Sequence, residues 1–140
     1  MGKKKVNRNG ILIAILIAYI GVLFCATLLT RESVGKVHIK AEWFWGYKVD
    51  DPRILYADNL RNILLFLPIG CLVGLIAPKH KLLAATLVGL FLSETIECSQ
   101  LIWHRGIFDV DDLFNNTVGA FFGGVIVVLT LWIRKKRNKK

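Results

Sequence analysis

Apolar positions along this chain come in four long blocks, not at the helical or strand period of a water-soluble fold. The blocks run from about Ile11 to Leu29, Leu60 to Ala77, Leu82 to Trp103 and Leu113 to Ile133. A bilayer core about 30 Å thick takes ~20 apolar residues as a helix, and each block is close to that length. Hydrocarbon offers the backbone no outside partner, so spans of this length are helical. The pattern predicts an all-α membrane protein with four transmembrane helices.

The polar residues between the blocks set an orientation. Lys3, Lys4, Lys5 and Arg8 precede the first block, Lys79 and Lys81 lie between the second and third, and Arg134 to Lys140 follows the fourth. No acidic residue accompanies any of these groups, whereas the remaining basic residues are mixed with Asp and Glu. Lys and Arg collect on the cytoplasmic side of membrane proteins, so both termini are expected in the cytoplasm. The net charge of +9 is thereby explained without nucleic acid, and no nucleic-acid partner is expected. The first block is longer than a signal-peptide core and is read as an uncleaved span. The resulting division is a basic cytoplasmic N-terminus at 1–10, a membrane domain at 11–133 with an outer loop at 31–59, and a basic cytoplasmic tail at 134–140.

Within the spans, small residues mark contact faces. Asn59, Asn62, Phe66, Gly70 and Gly74 share one helical stripe, and Asp112, Asn115, Asn116, Gly119 and Gly123 share another. Each stripe is polar at its outer end and glycine-lined deeper in, which predicts that the second and fourth helices face a common interior. Pro68 is expected to kink the second helix. Cys25, Cys71 and Cys98 all fall within spans and are read as packing residues, not as a disulfide framework. In the outer loop, Val34 to Lys40 alternates weakly as a strand would. It is followed by Glu42-Trp43-Phe44-Trp45-Gly46-Tyr47, an aromatic run of the kind found at membrane interfaces.

One segment breaks the apolar pattern. Ser93-Glu94-Thr95-Ile96-Glu97-Cys98-Ser99-Gln100 places two carboxyls and a carboxamide inside the third block. A charged side chain at mid-bilayer costs roughly 2.5–3.5 kcal/mol on insertion scales, so such groups face a bundle interior or a wet cavity. At ~100° per residue, Ser93, Glu97, Gln100 and His104 cluster within about 60° of one another, and Glu94 lies about 60° beyond Glu97. Arg105, Asp109, Asp111 and Asp112 follow in a short outer loop, then Asn115 and Asn116, with Arg61 and Asn62 at the matching end of the second span. All these groups fall at one depth, the outer leaflet and its interface.

Two carboxylates a turn apart repel, and a shared proton would equip Glu94 and Glu97 as general acid and base. A carboxylate beside an arginine binds an amine, while the arginine holds phosphate. A divalent ion bridging Glu97, Asp109 and Asp112 is chemically sensible, but Asp109-x-Asp111-Asp112 lacks the full calcium-loop pattern. No metal and no cofactor are assigned. The structural alternative pairs Arg105 with Asp109 or Asp112, lets Asp112 cap the fourth helix and lets Glu97 and Gln100 lock the bundle against Asn62 and Asn115.

Asn62-x-x-x-Phe66-x-Pro68-x-Gly70 resembles the second-helix run of VanZ-like proteins. Glu94-x-x-Glu97-x-x-Gln100, Arg105-x-x-Phe108-Asp109-Val110-Asp111-Asp112 and Asn116-x-x-Gly119 are similar to that family's second signature. The resemblance covers about Asn59 to Gly124. The family's Asn-Leu-x-Pro-Phe run has no counterpart at Ala41 to Gly46, so no role is carried over to that loop. The resemblance implies a multi-pass protein of the bacterial inner (cytoplasmic) membrane and a link to glycopeptide resistance of the teicoplanin type. It implies no reaction.

The leading functional expectation is an envelope-associated binding or protection role. Its ligand site comprises Asn62, Glu94, Glu97, Gln100, Arg105, Asp109, Asp112 and Asn116. The partners are membrane lipids and either a lipid-linked wall precursor or a lipoglycopeptide, with Trp43 and Trp45 over the lipid tail. The alternative is a membrane-embedded enzyme on a lipid-linked substrate, with catalytic candidates Glu94, Glu97, Asp109 and Asp112. A proton-coupled transporter is a third reading, since intramembrane acids serve proton relays.

Overall fold

In the computed structural model the described residues are 7–29, 39–40, 52–105 and 108–139. They form four helices, α1 (Arg8–Leu29), α2 (Pro52–Ile76), α3 (Lys81–Ile102) and α4 (Val110–Arg137), each long and apolar enough to cross a membrane. Two short strands, β1 (Ile39–Lys40) and β2 (Phe108–Asp109), pair in parallel, Ile39 opposite Phe108 and Lys40 opposite Asp109. Of the weakly alternating Val34 to Lys40, Ile39 and Lys40 form a strand, and 34–38 lie outside the described residues. α2 starts earlier than the apolar block implies, because Pro52 sits in the first turn, where its missing N–H costs nothing. Residues 52–59, expected in the outer loop, are helical. Pro68 lies inside α2 without ending it.

Hydroxyls inside the helices bond back to carbonyls of their own helix: Thr86 to Leu82, Thr95 to Phe91, Ser99 to Thr95 and Thr117 to Leu113. Such back-bonding satisfies a polar group where no water is at hand. At the α2–α3 turn His80 takes a left-handed conformation (φ 48°), and Lys81 Nζ donates to the carbonyls of Gly74, at 3.1 Å, and Ala77. The ammonium thus satisfies carbonyls at the α2 C-terminus that have no helical donor.

α2 and α4 form the centre of the bundle. A Cβ built at Gly70 would overlap the Ala120 carbonyl, and one built at Gly123 would overlap that of Leu67 and stand 2.7 Å from Cys71 N. Backbone meets backbone there, which is how helices gain contact when lipid tails compete equally for apolar surface. α3 joins through Ala85, Gly89 and Ser93, all buried. The core is Leu23, Phe66, Ile69, Val73, Ala85, Ile96 and Ala120.

α1 is the peripheral helix. Leu23 is its single buried residue among those described, and Ile11, Ile13, Ile15, Ile17 and Val22 face outward. Cys71 packs inside, its thiol near the Gly123 carbonyl, but Cys25 and Cys98 face outward and are not interior packing residues. α4 is about 42 Å long at 1.5 Å per residue, longer than the bilayer core. Its last turn carries Arg134, Lys135, Lys136 and Arg137, and Lys136 Nζ lies 5.4 Å from the Trp132 ring centroid. An aromatic ring beside a cation is a pairing suited to the headgroup layer.

Candidate functional site

The phase of α3 decides which of its acids turns inward. Ala85, Gly89, Ser93 and Glu97 recur every four residues and form the face that meets α4, so Glu97 is carried inward with them. Its side chain is 1% exposed, and Gln100 beside it is fully buried. Glu94 lies about 60° further round the helix, on the side of Leu83, Leu87 and Leu90, and is exposed. The structure does not bring Glu94 into the cluster.

The chain leaving α3 folds back onto Glu97. His104 adopts φ 53°, which lets Arg105 N–H reach the Gln100 carbonyl (2.9 Å) and His104 N–H the Leu101 carbonyl (3.3 Å). These two bonds close the helix in the Schellman manner. Glu97 Oε2 then accepts from the backbone N–H of Asp109 (3.0 Å). Asp109 Oδ1 accepts from Asp111 N–H (2.9 Å), so Asp109, not Asp112, is the N-cap of α4. The spacing misled because Asp109, Asp111 and Asp112 all have capping chemistry, and only the β1–β2 pairing shows where the extended chain stops. Asp112 sits in the first turn with Asp111, where the helix dipole favours acids.

The amides of α2 and α4 complete the arrangement. Asn62 Nδ2 donates to Asp112 Oδ1 (2.5 Å), Asn115 Nδ2 to Asn59 Oδ1 (2.8 Å) and Asn116 Nδ2 to Ser93 Oγ (2.9 Å). Both stripes read from the sequence therefore meet as expected. The expected Glu97–Asn62 lock is replaced by an Asn62–Asp112 pair. Asn116 is 5% exposed, and its Oδ1 has no hydrogen-bond partner among the described residues.

Two arginines occupy other roles. Arg105 Nη1 reaches the Leu28 carbonyl at 3.5 Å, tying the end of α1 to the outer turn. Arg61 pairs with Asp58 (3.2 Å) on an exposed face of α2 and does not join the cluster. His104 is exposed. The aromatic run at 42–47 and residues 106–107 of the signature lie outside the described residues.

Between α1, α2, α3 and the start of α4 lies a cavity of ≈ 20 Å³. That is room for about one water molecule. Its polar lining is Thr27, Asn62, Glu97, Gln100, Asp112 and Asn116, and its apolar lining includes Leu23, Phe66 and Ile96. Thr27 and Leu23 escaped sequence reasoning, since the apolar residues of α1 run all round the helix and mark no single face. Ser93 as the partner of Asn116 was signalled by the small-residue spacing Ala85, Gly89, Ser93. The polar lining combines two carboxyls with three amides and a hydroxyl, and no Lys or Arg is among its described residues. Among the described residues no group of three or more His, Cys, Asp or Glu is arranged to hold a metal ion.

The family described as VanZ/LLP1 matches residues 11–132, nearly the whole chain. Protein VanZ of Enterococcus faecium is 32% identical over 68 residues, which is 49% of this chain and 42% of that protein. The chain thus covers less than half the length of this relative. No solved structure matches.

Proposed function

The chain belongs to the VanZ-like family, and on that footing we propose that it protects the bacterial cell envelope, lowering sensitivity to teicoplanin-type glycopeptides. In this reading it lies in the cytoplasmic membrane with both termini inside. The basic ends and the turn at Lys79 to Lys81 support that orientation. The polar groups then lie toward the outer leaflet, where a lipoglycopeptide or a lipid-linked wall precursor would be met.

The observation that carries the reading is Glu97. A carboxylate almost fully buried between helices is costly, and amides alone suffice to lock a bundle. Glu97 shares its cavity with a second acid, Asp112, and with Asn62, Gln100 and Asn116. Half-buried Asp109 and Asp112 stand at the start of α4. These acids and amides are the binding groups. Arg105 acts as a tie between α1 and the α3–α4 turn.

The paired acids also favour a second reading, a membrane-embedded enzyme with Glu97 as base and Asp109 or Asp112 as acid. The test is expression of wild type and Glu97→Gln in a glycopeptide-sensitive host, matched for membrane abundance. Teicoplanin inhibitory concentration and the membrane lipid profile by mass spectrometry are both read. The protective reading expects wild type to raise the inhibitory concentration several-fold, Glu97→Gln to abolish the rise, and the lipid profile to stay unchanged. A lipid species made by wild type and lost in Glu97→Gln establishes the enzyme instead. Unaltered teicoplanin sensitivity with wild type refutes protection.

A further inference from the structure

We propose that the C-terminal end of α4 is a collar for acidic phospholipids. Arg134, Lys135, Lys136 and Arg137 bind lipid phosphate groups in the leaflet where the helix emerges. The site is separate from the Glu97 cluster and stands without the protective reading.

The register of the bundle exposes this end. α2 and α4 run side by side in the same direction, with Gly119 against Ile63, Gly123 against Leu67 and Gly74 against Val127. α2 ends at Ile76, two residues past Gly74, whereas α4 continues for ten residues past Val127, about 15 Å. α3 begins at Lys81, and its Leu82 already packs on Gly124. α4 therefore projects beyond α2 and α3 at this end, and every residue from Val128 to Lys139 is exposed.

The projecting part changes character at one step. Up to Ile133 it is apolar, with Val128, Leu129, Leu131, Trp132 and Ile133 all exposed. The polar residue among them, Thr130, turns its hydroxyl back onto the Ile126 carbonyl (2.7 Å), as suits hydrocarbon. Four basic residues then follow in succession. At ~100° per residue they point to all sides of the helix axis. A helix that is apolar all round and then cationic all round crosses a plane, and the acyl–headgroup boundary of a leaflet is such a plane. A protein or nucleic acid approaching from the side would meet only part of the collar, and a second copy would bring the same charge. Length agrees: α4, about 42 Å long, matches the ~40–45 Å of a bilayer with its headgroup layers. Lys136 beside Trp132 belongs to the same layer.

The collar chemistry selects the lipid. Arginine pairs with phosphate through two parallel bonds, and lysine adds a point charge. No acidic residue follows Asp112 in the sequence. Lys81, at the same end, spends its ammonium on the Gly74 and Ala77 carbonyls and is not part of the site. Basic residues beside a span attract acidic headgroups, and a zwitterionic headgroup offers no net charge to match them.

The test uses the full chain purified in detergent. Native mass spectrometry compares retention of phosphatidylglycerol and phosphatidylcholine with identical acyl chains. Wild type is expected to favour phosphatidylglycerol about tenfold or more. The combined variant Arg134→Gln, Lys135→Gln, Lys136→Gln and Arg137→Gln is expected to lose the preference at unchanged helix content, because these side chains are exposed. Arg61→Gln, at the other end of the bundle, is expected to keep it. Each single substitution in the collar is expected to weaken the preference by a similar fraction, and a loss confined to one of them marks a one-sided contact and overturns the collar. Equal retention of the two lipids overturns the proposal on wild-type protein alone. A preference intact in the folded combined variant places the acidic lipid elsewhere and also overturns it. Soluble glycerol phosphate competing as well as the lipid removes the leaflet as the partner. None of these results depends on antibiotic sensitivity, so the lipid site and the protective reading fail separately.

Discussion

Asp109 carries two contacts that a substitution can separate. Its carboxylate caps α4 through Asp111 N–H, and its backbone N–H holds Glu97. Asparagine caps as well as aspartate, so Asp109→Asn is expected to keep thermal stability in detergent within a few tenths of a kcal/mol. Asp109→Ala loses the cap and is expected to cost about 0.5–2 kcal/mol. A loss in Asp109→Asn as large as in Asp109→Ala would show that charge, not capping, is what the position supplies. This scale is also where sequence reading reached its limit. Glu94 and Glu97 lie only about 60° apart on a helix, and the type of residue is the same. The neighbours separate them: Glu97 follows the Ala85–Gly89–Ser93 face into the bundle, and Glu94 follows Leu83, Leu87 and Leu90 outward.

Small residues and backbone contact govern the helices. Gly123 has no room for a methyl group against Leu67 and Cys71, so Gly123→Ala must push α2 from α4. A cost of about 1–3 kcal/mol is expected, as for other overpacked cores. Gly21, on α1, has nothing within 4 Å of a built Cβ. Gly21→Ala is expected to be neutral or to stabilise by up to about 1 kcal/mol, the helix-propensity difference. Unfolding of both variants in mixed detergent checks the contrast, and equal effects would mean that the α2–α4 contact is not the one described. The α2 and α4 stripes were legible because glycine spacing within a span has few other uses. The position of α1 was not legible, because a helix apolar on all faces carries no phase.

Polarity along the membrane normal belongs to the whole molecule. Acids and amides gather at one end of the bundle, while the last turn of α4 and the α2–α3 turn are basic at the other. With the native cysteines replaced by serine, Lys139→Cys is expected to resist a membrane-impermeant thiol reagent applied to intact cells, and Trp103→Cys to react. The opposite labelling would invert the orientation and remove the outer-leaflet placement of the site. The amino-acid sequence by itself determined the four helices, the depth at which the polar residues gather along the chain and the family, because hydrocarbon tolerates few backbone solutions and few charges. Only the tertiary structure decided that Glu97 is inside and Glu94 outside, that Asp109 caps α4 while Asp112 binds Asn62, and that α1 closes the cavity. Periodicity places a residue on a face of its own helix, and the face acquires a meaning only from the helix packed against it.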